Sequence, residues 1–182
     1  MRAVRGITGL LVVWLAGCTP VNGRHARFYE EGSARPGTLV PIPEVTVSEL
    51  AAEARTLPGA ERCIVEAALA ALDATGPQLD CSSFVVQVFA TAGVDLPRTV
   101  REQLRCGAPV ELDALQPGDL VFFAFAHHPA DHVGIYAGRG RVVHVSAAAR
   151  RVQLAPLGAV PFGSAWAAGR RVSLAPRSEP RT

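Results

Sequence analysis

The spacing of apolar residues changes character at Gln116-Pro117-Gly118-Asp119, and that change restricts the fold more than any other feature of the chain. Before it, apolar residues recur every three or four positions, as in helices with one buried face. After it come short runs over 120–125, 132–137 and 141–146, rich in β-branched and aromatic residues and separated by Pro, Gly and polar breaks. Such runs read as strands. Helices first and strands afterwards predict an α+β fold in which N-terminal helices pack, as one layer, on a C-terminal antiparallel β-sheet.

Within the helical half, Thr46-Val47-Ser48-Glu49 has capping-box spacing and predicts a short helix over 50–57. A second helix follows Pro58-Gly59, with Ile64, Val65, Ala68, Leu69 and Leu72 as its apolar stripe, and Gly76-Pro77 stops it. A third is expected over 81–92, with Phe84, Val85, Val88 and Phe89 inward and Gly93 as terminator. Another turn or two is expected over 99–105. Residues 152–154 and 170–174 are expected to complete the sheet. Trp166 and Phe162 are expected in the core, and Arg150-Arg151 and Arg170-Arg171 at solvated strand ends. A chain of about 150 residues buries about 70% of its unfolded surface, so its stability needs no metal; no metal or other cofactor is expected. His127-His128-Pro129-Ala130-Asp131-His132 contains ligand-type residues. With no helical His–Glu pattern beside it, the stretch reads as a polar loop entering a strand.

The first residues read as an address. Met1 to Arg5 is short and positive, residues 7–16 are mostly apolar, and the stretch closes with Leu15-Ala16-Gly17-Cys18. A charged start, an apolar run too short to span a bilayer and small residues before a break describe a secretory signal over 1–17. Leu-Ala-Gly-Cys resembles the lipobox of bacterial lipoproteins, which implies that Cys18 becomes a lipid-bearing N-terminus anchored to a membrane. Thr19 rather than Asp after that Cys favours, by the same resemblance, the outer membrane, facing the periplasm. Residues 18–43, rich in Pro, Gly and Arg, read as a flexible tether that includes His25. A folded domain over 44–176 and a disordered tail over 177–182 follow. All 18 basic residues are Arg; removing Arg2 and Arg5 with the signal leaves sixteen against sixteen acidic residues. No basic field remains for a nucleic-acid partner, and the domain is expected to be a monomer.

With Cys18 assigned to lipid, Cys63, Cys81 and Cys106 remain. Export exposes them to oxidising conditions, where an odd count leaves one thiol free or specially used. A Cys63–Cys106 disulfide is one expectation; two independent small buried residues are the alternative. Cys81 follows Asp80 at the start of an apolar helix, where unpaired N–H groups and the positive dipole end favour a thiolate. A buried structural Cys would fit the same place. His132 and His144 flank Gly138-Arg139-Gly140. Pairing Ala137 with Arg141 across that three-residue loop sets His144 opposite Gly134, with His132 its diagonal neighbour about 7–8 Å away on the same sheet face. Val133, Ile135, Val143 and Val145 then take the other face, which is expected to be the buried one. A Cys nucleophile needs a base to take its proton, and the base needs a third group to fix its tautomer. Cys81, His132 and His144 are the residue types for that arrangement.

Asp80-Cys81-Ser82-Ser83-Phe84-Val85, Leu96-Pro97-Arg98-Thr99 with Arg101-Glu102-Gln103, and Leu115-Gln116-Pro117-Gly118-Asp119-Leu120-Val121-Phe122-Phe123 resemble motifs of the NlpC-type peptidases. His132-Val133-Gly134-Ile135-Tyr136 and the strand carrying His144-Val145-Ser146 do so as well, in the same order. The resemblance covers about residues 60 to 175. It implies a papain-like fold and a cysteine peptidase of bacterial peptidoglycan in the cell envelope. Cys81 would be the nucleophile, His132 the base and then acid, and His144 the orienting residue. Cleavage would fall in stem peptides, after γ-D-glutamate and before a diamino acid, through an acyl-enzyme. Asp80 and Ser82 flank the nucleophile, as helix caps or substrate anchors. The chain departs from the family in two places: residues 71–79 lack the usual Tyr and Trp-Gly-Gly-like stretch, and Ser83 replaces a Gly. Two alternatives follow: a lipoprotein of this fold that binds wall peptide or a partner without cutting, and an amidase or acyltransferase on the same frame.

Overall fold

The computed structural model describes residues 44–127 and 129–174. The expected signal segment, Cys18, the tether with His25, His128 and the tail lie outside the described residues. Three helices come first: α1 (Val47–Ala54), α2 (Gly59–Ala70) and α3 (Cys81–Ala90), followed by the single turn α4 (Val100–Gln103). Six strands follow: β1 (Ala108–Val110), β2 (Leu120–Phe123), β3 (His132–Gly138), β4 (Arg141–Ser146), β5 (Arg151–Pro156) and β6 (Trp166–Arg171). A one-turn helix, α5 (Phe162–Ala165), precedes β6. The strands form one antiparallel sheet in the order β1-β6-β2-β3-β4-β5. Helices on an antiparallel sheet are the α+β fold that the change in periodicity predicts.

The helix starts follow from their caps. Thr46 and Glu49 satisfy each other's backbone amides at the head of α1, and Thr99 and Glu102 do so at α4. At α3 the Asp80 carboxylate accepts from the Ser83 amide at 2.8 Å, and the Ser83 hydroxyl accepts from the Asp80 amide at 2.9 Å. That reciprocal pair fixes where α3 begins, and therefore where Cys81 stands. Phe84, Val85, Val88 and Phe89 are all buried, and α3 lies against β3 and β4. They join Leu50, Ile64, Val65, Leu120, Phe122, Val133, Ile135 and Val143 in the main core. Burying each such side chain contributes about 1.5–3 kcal/mol.

Several expectations need correction. The other sheet face is covered too: Val121, Phe123, Tyr136, Val142 and Leu157 form a second apolar cluster beneath Phe162 and Trp166. The β5–β6 connection folds back across the sheet and closes that side. The β3–β4 tip is a two-residue turn, with Arg139 and Gly140 both at positive φ (47° and 65°), and the extra residue is absorbed as a bulge at Ala137. The expected register survives, because Ile135 faces Val143 and Tyr136 faces Val142. β1 is absent from the sequence reading: it is a three-residue edge strand containing Pro109, which an edge tolerates. Arg171 ends β6 and is partly exposed, as expected, but it is also paired. It donates through Nε and Nη2 to the buried Asp119 carboxylate at 2.8 and 2.7 Å, which leaves that charge paired.

The Cys63–Cys106 disulfide is not formed; both thiols are free. Cys63 is exposed on α2, beside rather than within its buried stripe of Ile64, Val65, Ala68 and Leu69. Cys106 sits after α4, where its thiol donates to the Glu102 carbonyl one turn back. Each residue is placed by its own local geometry, Cys63 on the outer side of α2 and Cys106 against the last turn of α4.

Candidate active site

Cys81 is the first residue of α3, in the turn where backbone N–H groups lack partners within the helix. Its sulfur accepts a hydrogen bond from the amide of Val133, the residue directly after His132. The start of α3 and the start of β3 thus meet at the thiol, which is free and partly buried. His132 opens β3 and His144 lies on β4, with their rings edge to face and Nε2 of His132 3.1 Å from Nδ1 of His144. The diagonal placement expected from the register brings these imidazoles into direct hydrogen-bond contact. Gly134 makes this possible. A Cβ there would lie 2.5 Å from Cγ1 of Val142, 3.0 Å from the Val143 carbonyl and 3.2 Å from Cβ of His144.

The electrostatics of the trio differ from the sequence expectation. Burial pushes the Cys81 thiol above its ordinary value. The Val133, Ser82 and Cys81 amides counter that rise only in part, and the Asp80 charge adds to it. The helix start therefore does not make a resting thiolate, because taking a sulfur anion out of water costs more than a few N–H dipoles return. Burial, followed by the neighbouring His144, pushes His132 down to about 4, against the opposing charge of Asp131. Burial also lowers His144, against a hydrogen bond involving Val145. The resting site holds a neutral thiol and neutral imidazoles at pH 7. A neutral imidazole that spends its N–H on a neighbour is a base whose other nitrogen can accept a proton.

Asp80 and Ser82 carry a third residue with them. Nη1 of Arg98 donates to Asp80 Oδ1 at 3.1 Å and to the Ser82 hydroxyl at 2.9 Å, while Nη2 pairs with Oδ2. Burial works to raise the Asp80 carboxyl, but Arg98, the Ser83 amide and the Ser82 hydroxyl outweigh it and hold it at about 2. Asp80 thus caps the helix and also anchors a charged cluster one residue from the thiol. The buried Gln103 supports this side, donating from Nε2 to the carbonyls of Ser82 and Pro97 at 3.1 and 2.8 Å. Arg98 stands in a motif the sequence reading quotes, but its pairing with Asp80 spans eighteen positions and leaves no local signature.

Two aromatic residues, Phe162 and Phe125, stand beside the histidines, a placement that the sequence did not predict. Phe162 lies edge-on to His144 with centroids 4.8 Å apart, so it lines the site as well as the second core. Phe125, 42% exposed, lies 5.5 Å from His132. A signal for Phe125 exists: Phe123 pairs with His132 across the ladder, and Phe125 follows two positions on. Phe162 has none, since a single turn after an irregular connection carries no period.

The sequence of residues 71–171, more than half of the chain and inclusive of Cys81, His132 and His144, matches the model of the NlpC/P60 family. A probable endopeptidase of Corynebacterium glutamicum (strain R) is 37% identical over 124 residues, covering 63% of this chain and 57% of that protein. A gamma-D-glutamyl-L-lysine dipeptidyl-peptidase of Bacillus cereus is 34% identical over 99 residues, covering 53% of this chain and 30% of that protein. The chain therefore spans about half or less of these relatives' lengths. The crystal structure of a NlpC/P60 family protein from Bacillus cereus superposes with a TM-score of 0.57 at 29% identity, over 63% of this chain and 41% of that one. Its helix-on-sheet architecture is the papain-like one expected from the motifs. With matching sequence, fold and order of motifs, the chain belongs to the NlpC/P60 family.

Proposed function

We propose that this protein is a cysteine peptidase that hydrolyses peptidoglycan stem peptides, between γ-D-glutamate and a diamino acid, through an acyl-enzyme on Cys81. The observation that carries this reading is the meeting of the Cys81 sulfur with the Val133 amide beside a His132–His144 pair held at 3.1 Å. When Nε2–H of His132 donates to Nδ1 of His144, Nδ1 of His132 is free to accept the thiol proton, and His144 fixes that tautomer. The sulfur then attacks the peptide carbonyl as the proton moves to His132. The Cys81 amide at the helix start is placed to donate to the oxyanion, a contact worth about 2.7–4 kcal/mol in other hydrolases. His132 returns the proton to the leaving amine, and the same imidazole activates the water that releases the acyl group. Asp80 and Ser82, organised by Arg98, form the polar rim where the substrate's amino-terminal side is anchored.

In this reading Cys81 and His132 start neutral, and the thiol proton passes to His132 within the acylation step. The lipid anchor at Cys18 would hold this chemistry at the envelope, at the outer membrane facing the wall. The names of the relatives support the substrate class, since one is a gamma-D-glutamyl-L-lysine dipeptidyl-peptidase. The test is to incubate the full chain, purified in detergent, with synthetic L-Ala-γ-D-Glu-L-Lys, beside Cys81→Ala, and to read product masses. Products split after D-Glu in the parent and none in the variant are expected. Activity that survives the substitution, or never occurs in the parent, defeats the proposal. A second reading, a wall-peptide-binding protein that does not cut, draws on the absence of any aromatic residue over 71–79; it predicts binding without products in the same assay.

A further inference from the structure

We propose that Phe125 is the wall of the subsite on the leaving-group side and takes the aliphatic stem of the residue that follows the scissile bond. The proposal rests on the peptidase reading for its choice of peptide. Phe125 is exposed, yet both its backbone and its ring are held. Its amide donates to Oδ1 of Asp131 at 2.9 Å, and the Ala126 and His127 amides donate to Oδ2 at 2.7 and 2.8 Å. Its ring lies 14° from parallel to Phe123, with centroids 5.7 Å apart, and edge-on to Phe162 at 5.5 Å. An apolar ring fixed in both backbone and side chain loses little further freedom when something packs on it.

Its position selects the occupant. The base that takes the thiol proton must hand it to the leaving amine, so that amine comes within hydrogen-bond reach of His132. The side chain on the amine-bearing carbon then lies beside the His132 ring, and the Phe125 centroid is 5.5 Å from that ring. The Asp131 carboxylate that holds this loop is already engaged by three amides, so this wall recognises its occupant by apolar contact. Methylenes suit it, and a terminal ammonium reaching past them suits the face of an aromatic ring. A long-stemmed diamino acid fills this wall, and alanine does not reach it.

The test is isothermal titration of the full chain carrying Cys81→Ala, in detergent, with L-Ala-γ-D-Glu-L-Lys and with the same peptide ending in L-Ala. The Lys peptide is expected to bind about fivefold tighter, the gain from packing one or two methylenes. Adding Phe125→Ala is expected to remove that preference while leaving the Ala peptide unchanged, and Phe125→Leu to keep most of it. An unchanged preference in Phe125→Ala, equal weakening for both peptides, or binding of neither overturns the proposal; equal weakening would mean that Phe125 only shelters the histidines. Cleavage of the Lys peptide with Cys81 intact is scored separately. A Phe125-dependent preference without cleavage upholds the subsite and removes the peptidase. Cleavage without such a preference does the reverse.

Discussion

Acid should destabilise this protein through its buried histidines, and the size of the largest effect follows from the His132 environment. Burial and His144 hold that imidazole at about 4, whereas an unfolded histidine titrates near 6.5. The folded pKa is the lower one, so the folded state binds fewer protons between these values and unfolding takes one up. The stabilisation is complete above pH 6.5 and is lost as the pH falls toward 4. At about 1.4 kcal/mol per pH unit, roughly 2 kcal/mol is gone by pH 5 and roughly 3 kcal/mol by pH 4. His144, also lowered by burial, pulls in the same direction. The perturbation is His132→Gln, which keeps a polar side chain but no longer titrates. Guanidinium unfolding of both proteins at pH 7, 5 and 4 measures the effect. Relative to its own stability at pH 7, the parent is expected to lose about 3 kcal/mol more than His132→Gln by pH 4. If the two proteins lose stability in parallel, His132 is not held neutral by its surroundings. The electrostatic basis for treating it as a general base would then fall.

The remaining predictions probe the site and the layer beneath it. Gly134→Ala places a methyl group against Val142, the Val143 carbonyl and His144; a loss of about 1–3 kcal/mol in thermal unfolding and at least a tenfold drop in peptide hydrolysis are expected, and parental activity would refute the packing argument. The Arg98–Asp80 pair is about half exposed, so Arg98→Ala should change stability by no more than about 1 kcal/mol while raising KM for stem peptide; an unchanged KM would separate this cluster from substrate. At pH 7 the raised Cys81 thiol should be alkylated by iodoacetamide more slowly than the exposed Cys63, read site by site by mass spectrometry; faster labelling of Cys81 would signal a resting thiolate. Phe89→Ala, in the fully buried face of α3, should cost about 3–5 kcal/mol in denaturant unfolding.

The fold was legible wherever a local rule decided it. The period of apolar residues set helix or strand, and Thr46 and Asp80 marked helix starts through side chains that reach backbone three residues away. The β3–β4 hairpin set the register that places His132 diagonal to His144, because strands joined by a tight turn leave little freedom of pairing. β1 and the place of β6 between β1 and β2 were not legible, since each depends on pairing between segments far apart in the chain. The expected Cys63–Cys106 bridge failed for a related reason: cysteine counting says nothing about where α2 and the segment after α4 place their thiols.

By itself, then, the sequence determined the place of Cys81 at a helix start and two imidazoles on one sheet face, because periodicity and capping act over a few residues. Tertiary structure alone decided their charge states, joined Arg98 to Asp80 and set Phe125 and Phe162 beside the histidines. Burial is the physical reason. How strongly a thiol or an imidazole resists ionisation depends on the atoms that displace water around it, and distant segments supply those atoms.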